Sequence, residues 1–340
     1  MPDLNIKEII LKSSEYLKNK GLHNARLDVE LILSHFLSIS RMDLYLQFEK
    51  IISEDKADQI RKAIIERSKR KPLQYILGEV HFLDCVIEVN ETVLIPRPET
   101  EFMVDLILKS FFDGTDSSKE IGDFCYGRTS PLNVSVLQTA GGNSASGQHK
   151  CVPTETPLQS GAGNFLDLCT GSVAIAIALK KKIKDANVFA IDICEKALET
   201  AQKNAKKNDC DIHFIKSDLF CVPSQGGRNG QHKCVPTEGG GFDLIISNPP
   251  YISEEEYQNL EPELFFEPKI ALVAKDESFY FYKKIIEEAR PFLKDGANLF
   301  LEINSNLAEE IVSIATENKY THIEILKDLN ERNRFLRLIK

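Results

Sequence analysis

The sequence has no apolar run approaching the roughly 18 residues that a membrane-spanning helix requires, which excludes a helical integral membrane protein. Its first residues, Met1-Pro2-Asp3-Leu4-Asn5, lack the basic-then-apolar order of a secretion signal. The eight cysteines have no framework spacing, so reduced thiols and a cytoplasmic protein are expected. Positive charge is not in excess. Lys and Arg number 42 against 51 Asp and Glu, a net charge of −9, and direct sequence-specific nucleic acid binding is not expected. With 27% charged and 42% hydrophobic residues over 340 positions, the composition is that of a folded chain long enough for two domains.

The first seventy residues read as helices. Ile6, Ile9, Ile10, Tyr16 and Leu17 recur at helical spacing, as do Leu27, Val29, Leu31, Ile32, Leu33, Phe36 and Leu37, and then Ile60, Ala63 and Ile64 between Ser53 and Arg70. The basic end of the third stretch (Arg67, Lys69, Arg70, Lys71) reads as a solvated face. From Pro72 the pattern turns to short β-like pieces at Tyr75–Leu77, Val86–Val89 and Val93–Ile95. Pro96-Arg97-Pro98-Glu99-Thr100-Glu101 predicts a rigid turn, and Glu99 to Ser110 a helix with an acidic first turn. Domains are expected at 1–72 and 101–340, joined by a β-rich linker at 73–100.

Two stretches, about 112–163 and 222–241, are rich in small polar residues and read as loop or disorder. They share a nonapeptide: Gly147 through Glu155 recurs as Gly230 through Glu238, which marks both as related insertions. Outside them, strands and helices alternate from Phe165 onwards. This pattern predicts a doubly wound, mostly parallel α/β sheet, with a C-terminal strand pair joined at Asp328-Leu329-Asn330 as an antiparallel edge.

Three acids follow three successive strands: Asp167, Asp192 and Asp218. Ligands of open α/β sheets bind at the carboxyl ends of the strands. The first strand runs into Cys169-Thr170-Gly171-Ser172-Val173, a small-residue turn that lets a ligand approach the backbone. Asp192 stands where nucleotide-binding units place a ribose-binding acid. Asn248-Pro249-Pro250-Tyr251 follows the apolar strand Leu244–Ile246. Tandem prolines remove two donors and stiffen the chain, leaving carbonyls directed at a cleft, and Asn248 adds an acceptor. Together they can hold both protons of a planar NH2 group, with Tyr251 offering a flat face to the same substrate.

These segments resemble the signature of class I S-adenosylmethionine-dependent methyltransferases that act on planar nitrogens. The flanks Pro72-Leu73-Gln74-Tyr75-Ile76-Leu77-Gly78, Leu94 through Glu101, Glu261-Pro262-Glu263 with Glu267-Pro268, and Asp328 through Arg334 resemble the peptide chain release factor glutamine methyltransferases. The resemblance implies a Rossmann-like methyltransferase domain, an N-terminal helical domain that binds substrate, S-adenosyl-L-methionine as methyl donor, and the Gly-Gly-Gln motif of release factors as target. It places the cofactor on Asp167, Cys169, Thr170, Gly171, Ser172, Val173, Asp192, Asp218, Leu219 and Asn248, and catalysis on Asn248, Pro249, Pro250 and Tyr251. A monomer without membrane attachment is expected.

The family usually carries Gly where Val173 stands, and a β-branched residue there is expected to resist positive φ and crowd the cofactor. Two rival readings follow: a methyltransferase for a ribosomal-protein glutamine, and a catalytically impaired protein of the same fold. His149, Cys151, His232 and Cys234 form two His-Lys-Cys units whose single intervening residue does not suit zinc, so no metal is expected. Cys85, Cys125, Cys194, Cys210 and Cys221 read as ordinary thiols.

Overall fold

Asn5 opens the first helix, its side-chain oxygen accepting from the Glu8 amide at 2.9 Å. Helix α1 (Ile6–Asn19) buries Ile6, Ile9, Ile10 and Leu17, and α2 (Ala25–Leu37) buries Val29, Ile32 and Leu33. A short α3 (Arg41–Leu46) starts at a capping box between Ser40 and Asp43, and α4 (Glu54–Ser68) turns Ile60, Ala63 and Ile64 inward. These helices close a hydrophobic cluster of their own, from Ile6 to Leu73. The computed structural model describes residues 5–112, 135–136, 163–222, 233–234, 240–275 and 277–340.

The expected β piece at Tyr75–Leu77 is instead part of a helix, α5 (Leu73–Leu77), stopped by Gly78 at φ 81°. Short apolar runs do not distinguish strand from helix, and here the flanking Pro72 and the left-handed glycine decide. A hairpin of β1 (Glu79–Phe82) and β2 (Cys85–Glu88) follows. Val93–Ile95 forms no strand. Its backbone is held from outside, Val93 accepting from the Tyr75 hydroxyl at 2.6 Å and Ile95 donating to Glu267 at 3.0 Å. Helix α6 (Pro98–Phe112) then begins inside the proline-flanked turn.

The main sheet contains β3 (Ser135–Val136), β4 (Asn164–Leu168), β5 (Asn187–Asp192), β6 (His213–Lys216), β9 (Phe242–Ser247), β10 (Leu293–Glu302), β11 (His322–Lys327) and β12 (Asn333–Ile339). A separate two-stranded pair joins β7 (Cys221–Val222) to β8 (Lys233–Cys234). The order in space is β3-β11-β12-β10-β9-β4-β5-β6, parallel from β10 through β6, with β12 antiparallel to both its neighbours. The expected doubly wound sheet is therefore present, and its C-terminal antiparallel edge arises because β12 inserts between β10 and β11. Strand β4 is buried along its whole length, as a strand covered on both faces must be. Its Phe165 packs with α6, α7 (Ala174–Lys182) and α8 (Glu195–Lys207) on one face. Leu166 and Leu168 pack with α11 (Tyr280–Ala289) and α12 (Ala308–Glu317) on the other. Two short helices, α9 (Glu254–Gln258) and α10 (Lys269–Leu272), lie in the segment after β9.

The basic end of α4 is a joint rather than a solvated face. Arg67 pairs with Asp28 at 2.7 Å and with Glu263 at 3.1 Å, Arg70 reaches Glu263 and Glu261, and Lys71 pairs with Glu91. Only Lys69 stays largely in water, against Glu66. A run of like charges does not reveal its partners, here Asp28 in α2, Glu91 after the hairpin, and Glu261 and Glu263 nearly two hundred residues away. The nonapeptide copies lie outside the described residues except for the backbone of Lys233–Cys234, and so do Cys125 and the His-Lys-Cys side chains. Among the described residues no helix is long and apolar enough to cross a membrane. Arg67→Ala strands the buried Asp28 carboxylate and is expected to cost about 3–5 kcal/mol in urea unfolding. Glu261→Ala, which removes a carboxylate left 78% exposed, stays within about 0.5 kcal/mol.

Candidate active site

The chain leaves β4 towards β5 on one side and returns through β9 on the other, so a crevice opens at the carboxyl ends of β4 and β9. Ser247, the last residue of β9, donates its hydroxyl to the Leu168 carbonyl at 2.7 Å and ties the two strand ends together. Cys169–Val173 leaves one end and Asn248–Tyr251 the other, so two segments separated widely in sequence become neighbours.

The loop after β4 is built from left-handed residues at alternate positions: Cys169 (φ 57°), Gly171 (φ 52°) and Val173 (φ 65°). Thr170 donates its amide to the Ile191 carbonyl at 2.9 Å, which fastens the loop to the end of β5. A β-carbon on Gly171 would meet nothing within 4 Å, so the backbone there faces open space. Beside it, Asp192 accepts from the Gly171 amide at 2.9 Å and from the Cys194 amide at 2.8 Å. Burial pushes the Asp192 carboxyl up, while the amides of Cys194, Gly171 and Ile193 favour its charged form. The arrangement suits a ligand with hydroxyls to donate and a need to approach bare backbone.

The expected site residues divide by depth. Cys169, Gly171, Asp192, Asp218, Asn248 and Tyr251 are accessible, whereas Asp167, Thr170, Ser172, Val173, Leu219, Pro249 and Pro250 are buried beneath them. Asp167 accepts from the Thr170 hydroxyl at 2.6 Å through Oδ2, but Oδ1 is buried with no hydrogen-bond partner. Burial pushes its carboxyl up to about 7. Asp218 lies 3.4 Å from the Lys284 ammonium of α11, a neighbour that no local motif announces. Asn248 donates to the Thr100 hydroxyl at 3.0 Å, and burial pushes the Tyr251 phenol up to about 12. Among the described residues nothing donates to the Asn248 side-chain oxygen or the Pro249 carbonyl. Burial also raises the thiols of Cys169, Cys210 and Cys85, the last to about 11, so none is an activated nucleophile.

The PrmC N-terminal domain model matches residues 8–78, and the methyltransferase small domain model matches residues 154–331. A release factor glutamine methyltransferase of Leptospira interrogans is 33% identical over 343 residues, spanning 100% of this chain and 99% of its own. The chain belongs to the release factor glutamine methyltransferase family. A second such protein, from Fusobacterium nucleatum, is 32% identical over 332 residues, covering 97% of this chain and 77% of its own. The solved protein-(glutamine-N5) methyltransferase (release factor-specific) of Alicyclobacillus acidocaldarius is 17% identical, with a TM-score of 0.36 over 74% of this chain and 98% of that one. The methyl donor is S-adenosylmethionine, as the motifs imply.

Val173 of this methyltransferase stands where the family carries glycine, and the structure corrects the expectation about it. Val173 does adopt the left-handed conformation, at φ 65° and ψ 20°, but its side chain is 0% exposed and lies in the core with Ala176 and Ile177. It therefore does not crowd the crevice. A left-handed L-residue costs roughly 1–2 kcal/mol. Burial of a valine contributes about 1.5–3 kcal/mol, enough to hold the loop in shape. With Gly171 open and the Asp192 carboxylate accessible beside it, the residues present fit the donor.

Both truncations at Val173 lose that burial, but only glycine also relieves the left-handed strain. Val173→Gly is thus expected to be more stable than Val173→Ala by about 1 kcal/mol in urea unfolding, the reverse of the usual order. Calorimetric titration of S-adenosylmethionine is expected to give comparable affinities for Val173→Gly and the native chain. A second prediction concerns pH. Because the folded Asp167 carboxyl is raised from 3.8 to about 7, the stability it contributes is present below pH 3.8 and lost as pH rises through about 7. Asp167→Asn removes that loss, so its gain in melting temperature over the native chain is expected to be larger at pH 8 than at pH 5.

Proposed function

We propose that this methyltransferase transfers a methyl group to the side-chain amide nitrogen of the glutamine in the Gly-Gly-Gln motif of a peptide chain release factor. The observation that carries the reading is a pair of acceptors to which no described residue donates, the side-chain oxygen of the accessible Asn248 and the carbonyl of the adjoining, buried Pro249. The names of its full-length relatives support the choice of substrate.

An amide nitrogen is a poor nucleophile because its lone pair is delocalised into the carbonyl. Asn248 and Pro249 accept its two N–H bonds, which localises the lone pair on the nitrogen and aims it at the methyl carbon. S-adenosylmethionine, when bound, supplies that carbon on a positively charged sulfur. Asp192 would accept from the ribose hydroxyls of the donor and Asp218 from its adenine amino group, with the Thr170–Gly171 backbone beside the methionine part. The substrate nitrogen would give its pair to that carbon while the sulfur keeps the bonding pair, and the surplus proton would then pass to solvent. Tyr251 stays protonated at neutral pH and stacks on the substrate instead of acting as a base. Holding such a near-attack geometry contributes on the order of 7–11 kcal/mol at best. The N-terminal helices grip the protein substrate, and the enzyme works as a monomer in the cytoplasm.

The test is methyl transfer from S-adenosylmethionine to purified release factor, to the same factor with the motif glutamine replaced, and to ribosomal proteins. A mass gain of one methyl group on the intact motif alone is expected, and Asn248→Ala is expected to lower kcat about 100-fold or more. Methylation of a ribosomal protein in preference to release factor would overturn the reading.

A further inference from the structure

Three side chains from distant parts of the chain form a line behind the crevice. Asn248 donates its amide N–H to the Thr100 hydroxyl at 3.0 Å, and Thr100 donates to the Glu302 carboxylate at 2.6 Å. Thr100 is 5% exposed and Glu302 1%, so water does not take either partner's place. A hydroxyl has one proton to give, and a carboxylate only accepts. With the Thr100 proton committed to Glu302, only the oxygen lone pairs of Thr100 face Asn248. The Asn248 side chain must then turn its NH2 towards Thr100, and its oxygen is left facing the crevice.

We infer that Glu302 and Thr100 are positioning residues that set the polarity of Asn248, keeping an acceptor rather than a donor in front of the substrate nitrogen. This rests on the reading of Asn248 as the group that accepts the substrate N–H. A donor in place of the Glu302 carboxylate releases the Thr100 proton towards Asn248. The amide then rotates by half a turn and presents its own NH2 to the substrate's NH2, two donors face to face. The polarity of the line therefore depends on one charge at the end of β10. Around that charge stand Arg97 and Glu99 from the proline-flanked turn, Tyr251 after the motif, Tyr282 of α11 and Arg334 of β12. Burial is the largest influence on the carboxyl and raises it to about 7, with Thr100, Arg334 and Arg97 favouring the charged form and Glu99 opposing it. Methyl transfer is expected to fall as pH drops through that region in the native enzyme and to lose this dependence in Glu302→Gln.

The experiment uses the full chain with Glu302→Gln, Thr100→Val and Thr100→Ser, reading kcat and KM on release factor, donor affinity by calorimetry, and hydrogen exchange of the Asn248 side-chain NH2 in 15N-asparagine-labelled protein. Glu302→Gln and Thr100→Val are expected to lose about 100-fold in kcat with KM and donor affinity nearly unchanged, and Thr100→Ser to retain activity. The Asn248 NH2 is expected to exchange slowly in the native chain and in Thr100→Ser, and fast in the other two. If Glu302→Gln does not fold, Thr100→Val carries the same comparison against Thr100→Ser. Native kcat and native exchange in Glu302→Gln, or in Thr100→Val where it stands in, overturn the inference. Absence of release-factor methylation by the native chain, with the exchange pattern as described, would overturn the substrate assignment and leave the positioning role standing.

Discussion

The crevice depends on the seam between β4 and β9. Both strands are buried and parallel, and the chain enters them from opposite directions around the sheet, so the loops at their carboxyl ends diverge and leave room. The Ser247 hydroxyl on the Leu168 carbonyl fixes how far apart those loops begin. From that point the cradle of Cys169–Val173 and the acceptors of Asn248–Tyr251 inherit their separation from sheet geometry, which is stiff, rather than from loop geometry, which is not.

Backbone conformation outlasts side-chain identity in the cradle. Cys169 and Val173 hold the positive φ values that glycine would adopt freely, and the core contacts of Val173 supply what the missing glycine does not need. Leu219, beside Asp218, is left-handed as well, at φ 53° and nearly buried. The loop shape is therefore imposed by its surroundings: the amide of Thr170 on Ile191, the amide of Gly171 on Asp192, and the start of α7 beneath.

Much of the site is legible in the sequence because it is local. Asn248 through Tyr251 is contiguous and follows an apolar strand, and Asp192 ends another, so period and punctuation locate both. Thr100 and Glu302 are not legible in that way. Their contacts span 148 and 202 residues, and each alone reads as an ordinary helix-start threonine or strand-end acid. Lys284 and the Arg67–Glu263 pair escape for the same reason. The helices α3 and α5 are too short to establish a period, and Tyr75–Leu77 is apolar enough to pass for a strand. Val173 shows a different limit. A rule about φ anticipates the strain correctly, but only packing reveals which way the side chain points.

The opposite end of the seam has its own clasp. Asn164 donates its amide to Asp243 at 2.8 Å and its side chain to the Gly241 carbonyl at 3.2 Å, while Lys294 pairs with Asp243 at 2.7 Å. These bonds bind the first residues of β4 and β9 to each other just after the two places where the repeated nonapeptide interrupts the chain. Register is thus re-established at the amino ends of both strands before either reaches the crevice. The reactive geometry at the far end of the seam is thus set by a frame that is already closed at Asn164, Gly241 and Asp243.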